Sequence, residues 1–151
     1  MVVMLSVLSY FLFSRFVVTS VVVSGRSMVP TLQDGDRCLL NRMPLWFRAP
    51  ERGDMVVIED AGHSDYAVKR IVALPGEDVR ILEGKVWVNE SVLPEPYLPS
   101  GIKTRTFGDL PLSLHLEESE YFVLGDNRPT SEDSRAYGAL KRSQIVGLLV
   151  K

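Results

Sequence analysis

A serine hydroxyl is a weak nucleophile, and it attacks a carbonyl only when a base takes its proton and donors hold the oxyanion that develops. Three segments of this 151-residue chain carry side chains of that kind. The first is Ser24-Gly25-Arg26-Ser27-Met28-Val29-Pro30-Thr31. Gly25 permits a sharp turn ahead of Ser27, so that backbone N–H groups can face a substrate carbonyl, and Pro30 stiffens the exit. Taken alone, the segment reads as a turn that contains serines.

The second segment is Tyr66-Ala67-Val68-Lys69-Arg70-Ile71-Val72-Ala73-Leu74-Pro75-Gly76. Side chains alternate along a strand, so Lys69 and Arg70 point to opposite faces and one of these cations faces inward or into a cleft. A buried lysine is costly unless neutral or paired. Desolvation lowers a lysine pKa from about 10.4, each unit amounting to ~1.4 kcal/mol, and a lysine so tuned can act as a general base. A paired structural lysine is the alternative. The third segment runs from Gly125-Asp126-Asn127-Arg128-Pro129-Thr130-Ser131 through Glu132-Asp133-Ser134-Arg135-Ala136-Tyr137-Gly138. It is dense in residues that form specific loop hydrogen bonds, as a capped surface loop also would be.

Other reactive residues offer less. Cys38 is the sole cysteine, which precludes an intramolecular disulfide, and its strand-like flanks make it a small buried hydrophobe. His63 and His115 are far apart, and neither has metal-ligand spacing with Cys, Asp or Glu. No metal or other cofactor is expected. Net charge is −2, which gives no electrostatic footprint for nucleic acid.

The elements that must position these segments read as short strands. Residues 16–24, 36–41, 55–59 and 66–74 are strands, the last closed by Pro75-Gly76. Residues 78–82 and 85–89 flank Glu83-Gly84 as a β-hairpin. Residues 43–50 are a loop that sets Leu45, Trp46 and Phe47 between Arg42 and Arg48, a mixture suited to a bilayer interface or to a lid on the core. Residues 91–109 are loop, 110–116 alternate as a half-buried strand, and 120–124 and 145–150 complete the set. With 46 % apolar and 24 % charged residues, a packed core is expected. The expected class is mainly β: a compact antiparallel sandwich or barrel-like core with a small hairpin insertion over about 77–120.

The N-terminus stands apart. Residues 1–14 carry no charge, too short a run to span about 30 Å of hydrocarbon, but a helix continuing past Arg15 reaches far enough if that arginine snorkels. With neither a basic lead nor an Ala-x-Ala-like site after the run, an uncleaved anchor over 1–15, extending to about 20, is favoured over a cleavable leader. The catalytic domain is then 16–151.

The three segments and Arg52-Gly53-Asp54-Met55-Val56-Val57 occur in one order: Gly-x-Ser-Met-x-Pro-Thr, Arg-Gly-Asp-x-Val-Val, Tyr-x-x-Lys-Arg-Ile-Val-x-Leu-Pro-Gly and Gly-Asp-Asn-Arg-x-x-Ser-x-Asp-Ser-Arg. This series closely resembles the type I signal peptidases, from about Phe16 to Val150. The resemblance implies Ser27 as nucleophile and Lys69 as general base, with Ser131 hydrogen-bonded to the amine and Asp133 and Arg135 as a supporting ion pair. It implies the Ser27 backbone N–H as an oxyanion donor. Gly25 stands where many Gram-negative members have a serine whose hydroxyl is a second donor, and Ser24 is one place too early for that role. Val23, Met28 and Val68 are implied as lining shallow apolar substrate pockets. The implied activity is removal of signal peptides from exported preproteins after small residues, through an acyl-enzyme. The implied setting is the bacterial cytoplasmic membrane, crossed once, with a monomeric catalytic domain outside the cytoplasm and against lipid. The short insertion and Gly25 lean toward the compact Gram-positive-like form. The rivals are a cytosolic Ser-Lys self-cleaving repressor-type protease and an inactive homologue that binds signal peptides.

Overall fold

The β-branched segments pair in antiparallel fashion throughout. The computed structural model describes residues 3–7, 10, 18–59, 66–107 and 111–151. Among the described residues there are eleven strands, β1 (Val18–Val22), β2 (Arg37–Asn41), β3 (Met55–Glu59), β4 (Tyr66–Ala73), β5 (Asp78–Leu82), β6 (Lys85–Val88), β7 (Ser91–Val92), β8 (Leu112–His115), β9 (Glu120–Leu124), β10 (Leu140–Lys141) and β11 (Ile145–Val150). Seven form one sheet in the order β1-β2-β11-β3-β4-β9-β10, and four form a second in the order β7-β6-β5-β8. The architecture is mainly β, as expected, but the segment between Leu74 and Glu120 carries a four-stranded sheet rather than a hairpin alone. β7 and β8 add to the hairpin because Leu93 N–H and the Leu112–His115 backbone find partners on β6 and β5.

Alternation along the strands sorts the core into three layers. Val56 and Ile58 face Ile71, Val123 and Leu148 on one side of the large sheet. Val57 faces Val23, Met28, Leu32, Cys38 and Leu40 on the other. At the far end, Val72, Phe122 and Leu124 pack on Val79, Ile81 and Val86 of the small sheet. Full burial of each such side chain contributes about 1.5–3 kcal/mol. The large sheet curls: β1 at its edge and β4, four strands away, line a common cleft. In a flat sheet those strands would be about 19 Å apart at ~4.8 Å per step.

Two expected loops contain short helices. Pro44–Phe47 forms one turn, started by Pro44 in the first helical positions, where its missing N–H costs nothing. Ser134–Tyr137 forms another, capped by Asp133, whose carboxylate accepts from the Arg135 N–H. Most of the anchor over 1–15 lies outside the described residues, as do Phe16, Val17, His63 and Leu110. Residues 3–7 and 10 are helical, and among the described residues no helix is long and apolar enough to cross a membrane.

Candidate active site

The chain leaving β1 is pinned at a narrow neck. The Val23 N–H donates to the Asp36 carbonyl (2.8 Å), the Gly35 N–H to the Val23 carbonyl (2.9 Å), and the Gly25 N–H to Asp34 Oδ1 (2.8 Å). Gly25 sits at φ +91°, where a β-carbon is disfavoured, so glycine is the residue that makes this turn without strain. Ser27 follows, half-buried.

Ser27 stands where two clefts meet. One, of about 320 Å³, is polar and is lined by Ser24, Gly25, Ser27, Lys69, Thr130 and Glu132 among others. The other, of about 360 Å³, is walled by Val21, Val23, Leu40, Val57, Val68 and Val146, with Ser24 and Ser27 on its border. Lys69 and Arg70 are both buried, at 5 % and 7 % exposure, and the strand's alternation sends them apart. Lys69 pairs across from Val56 and enters the polar cleft, whereas Val68, opposite Val57, joins the apolar wall.

Arg70 turns the other way, onto Asp126, through Nε–Oδ1 (2.9 Å) and Nη2–Oδ2 (2.6 Å). Burial disfavours its charge, but the Asp126 carboxylate outweighs this, and the guanidinium pKa is raised above its ordinary value. Thr31, at the end of the Ser27 segment, donates to the same carboxylate (2.5 Å). The Asn127 N–H donates to the Ser27 carbonyl (2.9 Å) and Asn127 Nδ2 to the Arg26 carbonyl (3.0 Å). The third segment is therefore bonded directly to the first.

Gly125 makes that approach possible. A β-carbon there would lie 2.1 Å from Ser131 Oγ and 2.5 Å from the Ser27 carbonyl oxygen. Ser131 is buried, and among the described residues its hydroxyl has no hydrogen-bond partner. Asp133 and Arg135 form a bidentate pair, Nε–Oδ1 and Nη2–Oδ2 both at 2.8 Å. Asp133 also accepts from the Gly125 N–H (3.0 Å), and Arg135 donates to the Ser131 carbonyl (3.1 Å). The pair thus braces both neighbours of the Ser131 hydroxyl.

Met28 departs from expectation. It is 1 % exposed, packed beneath the clefts with Leu32 and Cys38, and is not among the residues lining either one. The walls Val21, Leu40, Val57 and Val146 were not legible as site residues, because strand alternation says which face is apolar and not which face curls around a cleft.

Over residues 1–150 the chain matches the family model described as signal peptidase, peptidase S26. The chain belongs to this signal peptidase family. Family members are serine peptidases, and the chemistry of this chain is accordingly the hydrolysis that removes signal peptides from exported preproteins. It is 38 % identical over 150 aligned positions to signal peptidase IB of Staphylococcus aureus, covering 91 % of this chain and 78 % of that one. It is 34 % identical to a probable signal peptidase I-2 of Synechocystis, covering 87 % of this chain and 61 % of that one. The crystal structure of a signal peptidase I from Enterococcus faecalis superposes with a TM-score of 0.58 at 30 % identity, covering 68 % of this chain and 98 % of the other.

Proposed function

We propose that this signal peptidase works through a Ser27–Lys69 dyad. The observation that carries the reading is the position of Ser27, at the junction of an aliphatic cleft with a polar cleft that holds buried Lys69. Neutral Lys69 takes the Ser27 proton as Oγ attacks the scissile carbonyl. The tetrahedral oxyanion is stabilised by the turn, with the Ser27 N–H as one donor. Collapse expels the mature chain's amine, which takes the proton from Lys69 and so returns it to its neutral form, and leaves an ester on Ser27. Water, deprotonated by Lys69, then releases the signal peptide. When substrate enters the cleft, the Ser131 hydroxyl turns onto the amine and orients it, and Asp133 with Arg135 fixes Ser131.

The sheet gives the substrate a direction. β1 pairs only with β2, and β9 covers β4 only from Arg70 onward, so among the described residues β1 and Tyr66–Lys69 each present an unpaired edge. Four antiparallel steps separate these strands, so they run the same way. An extended substrate lying between them is parallel to both or antiparallel to both. In the parallel sense, residues preceding the scissile bond lie beside Tyr66–Val68 in the aliphatic cleft, and the scissile carbonyl arrives at Ser27. The closely set valines, Val23 and Val68 included, admit small side chains there, which supports cleavage after Ala-x-Ala.

We assign residues 1–15 as the single membrane anchor and 16–151 as the catalytic domain, with an insertion at about 77–120, acting as a monomer outside the cytoplasm. Trp46 and Phe47, 60 % and 82 % exposed between Arg42 and Arg48, rest at the lipid headgroups. The test is cleavage of a purified preprotein whose signal ends in Ala-x-Ala, by the detergent-solubilised protein and its Ser27→Ala and Lys69→Ala variants. Cleavage by the parent alone supports the dyad. Equal cleavage by Ser27→Ala removes Ser27 from the mechanism.

A further inference from the structure

The segment following β7 reaches back from the small sheet and grips both ends of the Gly125–Arg128 turn. Arg128 is 1 % exposed. Its Nε donates to the Gly125 carbonyl (3.0 Å), its Nη1 to Glu95 Oε2 (3.1 Å), and its Nη2 makes a further short contact with Glu95 Oε1. Tyr97 donates its hydroxyl to the same Glu95 oxygen (2.8 Å). The Tyr97 ring lies under the Arg70 guanidinium, 4.1 Å from the ring centre to Cζ, and Arg70 holds Asp126 at the other end of the turn. Between these two grips lies Asn127, whose backbone and side-chain amides hold the Ser27 and Arg26 carbonyls.

We infer that Glu95, with Tyr97, is a positioning element for Ser27, acting through Arg128, Arg70 and the Gly125–Arg128 turn. The inference rests on the reading of Ser27 as nucleophile. Neither residue lines either cleft at Ser27, so neither is placed to touch substrate. Their effect is geometric. Arg128 needs a counter-charge to stay buried, and Glu95 supplies it at the one orientation that also lets Arg128 hold Gly125. Loosening that grip lets the turn shift against the Ser27 carbonyl, and a displacement of about 1 Å is enough to slow attack about a hundredfold.

The experiment measures kcat and KM for preprotein cleavage by the full chain in detergent, with Glu95→Gln, Tyr97→Phe and Asn127→Ala, singly and combined. Glu95→Gln keeps the size of the side chain. Tyr97→Phe keeps the ring on Arg70 and removes only the hydroxyl, so it folds even if the first variant does not. The expected result for each is a fall in kcat of about ten- to a hundredfold with KM within about twofold. The losses of Glu95→Gln and Asn127→Ala should be less than multiplicative, since both act through one turn. Parent-like kcat in folded Glu95→Gln and Tyr97→Phe overturns the inference, as do losses with Asn127→Ala that multiply. Ser27→Ala is measured alongside: if it cleaves, the reading of the nucleophile fails first, and this inference falls with it.

Discussion

The Asn127 N–H donates to the Ser27 carbonyl at 2.9 Å, joining two segments a hundred residues apart in the chain. Ser27, the proposed nucleophile, is thus held from its own backbone by the turn after β9, and Lys69, the proposed base, is carried by β4, to which β9 is paired. Serine, lysine and turn belong to one bonded unit.

The closeness of that unit leaves no room at Gly125. In Gly125→Ala the new methyl meets Ser131 Oγ at 2.1 Å and the Ser27 carbonyl at 2.5 Å, and backbone on one side cannot yield. Overpacking of this kind costs about 1–3 kcal/mol. Activity should fall by about two orders of magnitude, because the displaced atoms are those that set Ser27 and Ser131. Thermal melts and preprotein cleavage on the same sample check this. A variant that is destabilised but fully active would show that the site tolerates the shift.

Buried and exposed ion pairs should differ sharply. Asp126→Ala strands Arg70, with a side chain 9 % exposed, and should cost about 3–5 kcal/mol in urea denaturation. Glu51→Ala loses a pair to Arg48 whose partners are 37 % and 69 % exposed, and should cost no more than about 1 kcal/mol. Similar losses for the two would remove Asp126 as a structural anchor of the Ser27 segment.

Two opposing pH effects are expected. A lysine base must be neutral when it acts, so kcat/KM should rise with pH and fall steeply below about pH 8. Stability should move the other way at the alkaline end. Burial raises the pKa of Tyr97, with Glu95 adding to it, and burial likewise raises Tyr121 and Cys38. The unfolded chain therefore releases these protons first, from the ordinary 9.0 of the thiol and 10.0 of the phenols. Above those values it binds fewer protons than the folded chain, and stability falls as pH rises. Denaturation midpoints between pH 8 and 11 test this, and Tyr97→Phe should flatten the fall. A rate that is flat to pH 5, or stability that is flat to pH 11, contradicts the respective half.

The exposed aromatics predict lipid binding separable from catalysis. In the protein anchored in vesicles, brominated phospholipids should quench the part of the fluorescence that is lost in the Trp46→Phe variant, and replacing Trp46 and Phe47 by serine should leave cleavage of short soluble peptides intact. A Trp46 signal that brominated lipid does not quench would remove this face as the lipid contact.

Most strand positions were legible because β-branched runs ended at Gly and Pro, and β3, β9 and β11 begin and end at the expected residues. The resemblance carried by the order of the motifs singles out Ser27, Lys69, Ser131, Asp133 and Arg135, of which Ser27 and Lys69 line one cleft and Asp133 pairs with Arg135. Curvature was not legible, so Met28 was placed on the cleft when the turn buries it. Glu95 and Tyr97 were also missed. Their segment, Pro94-Glu95-Pro96-Tyr97, has the composition of an exposed loop, and only the tertiary fold brings it onto Arg128 and Arg70.

β11 lies in the middle of the large sheet, between β2 and β3, and is the strand shared by the half that carries Ser27 and the half that carries Lys69. The bond from Asn127 to the Ser27 carbonyl ties the same two halves a second time. Spreading them like a jaw would tear a strand ladder on one side and that bond on the other. The gap between Ser27 and Lys69 is therefore a gauge of set width, and a substrate must be thin enough to enter it.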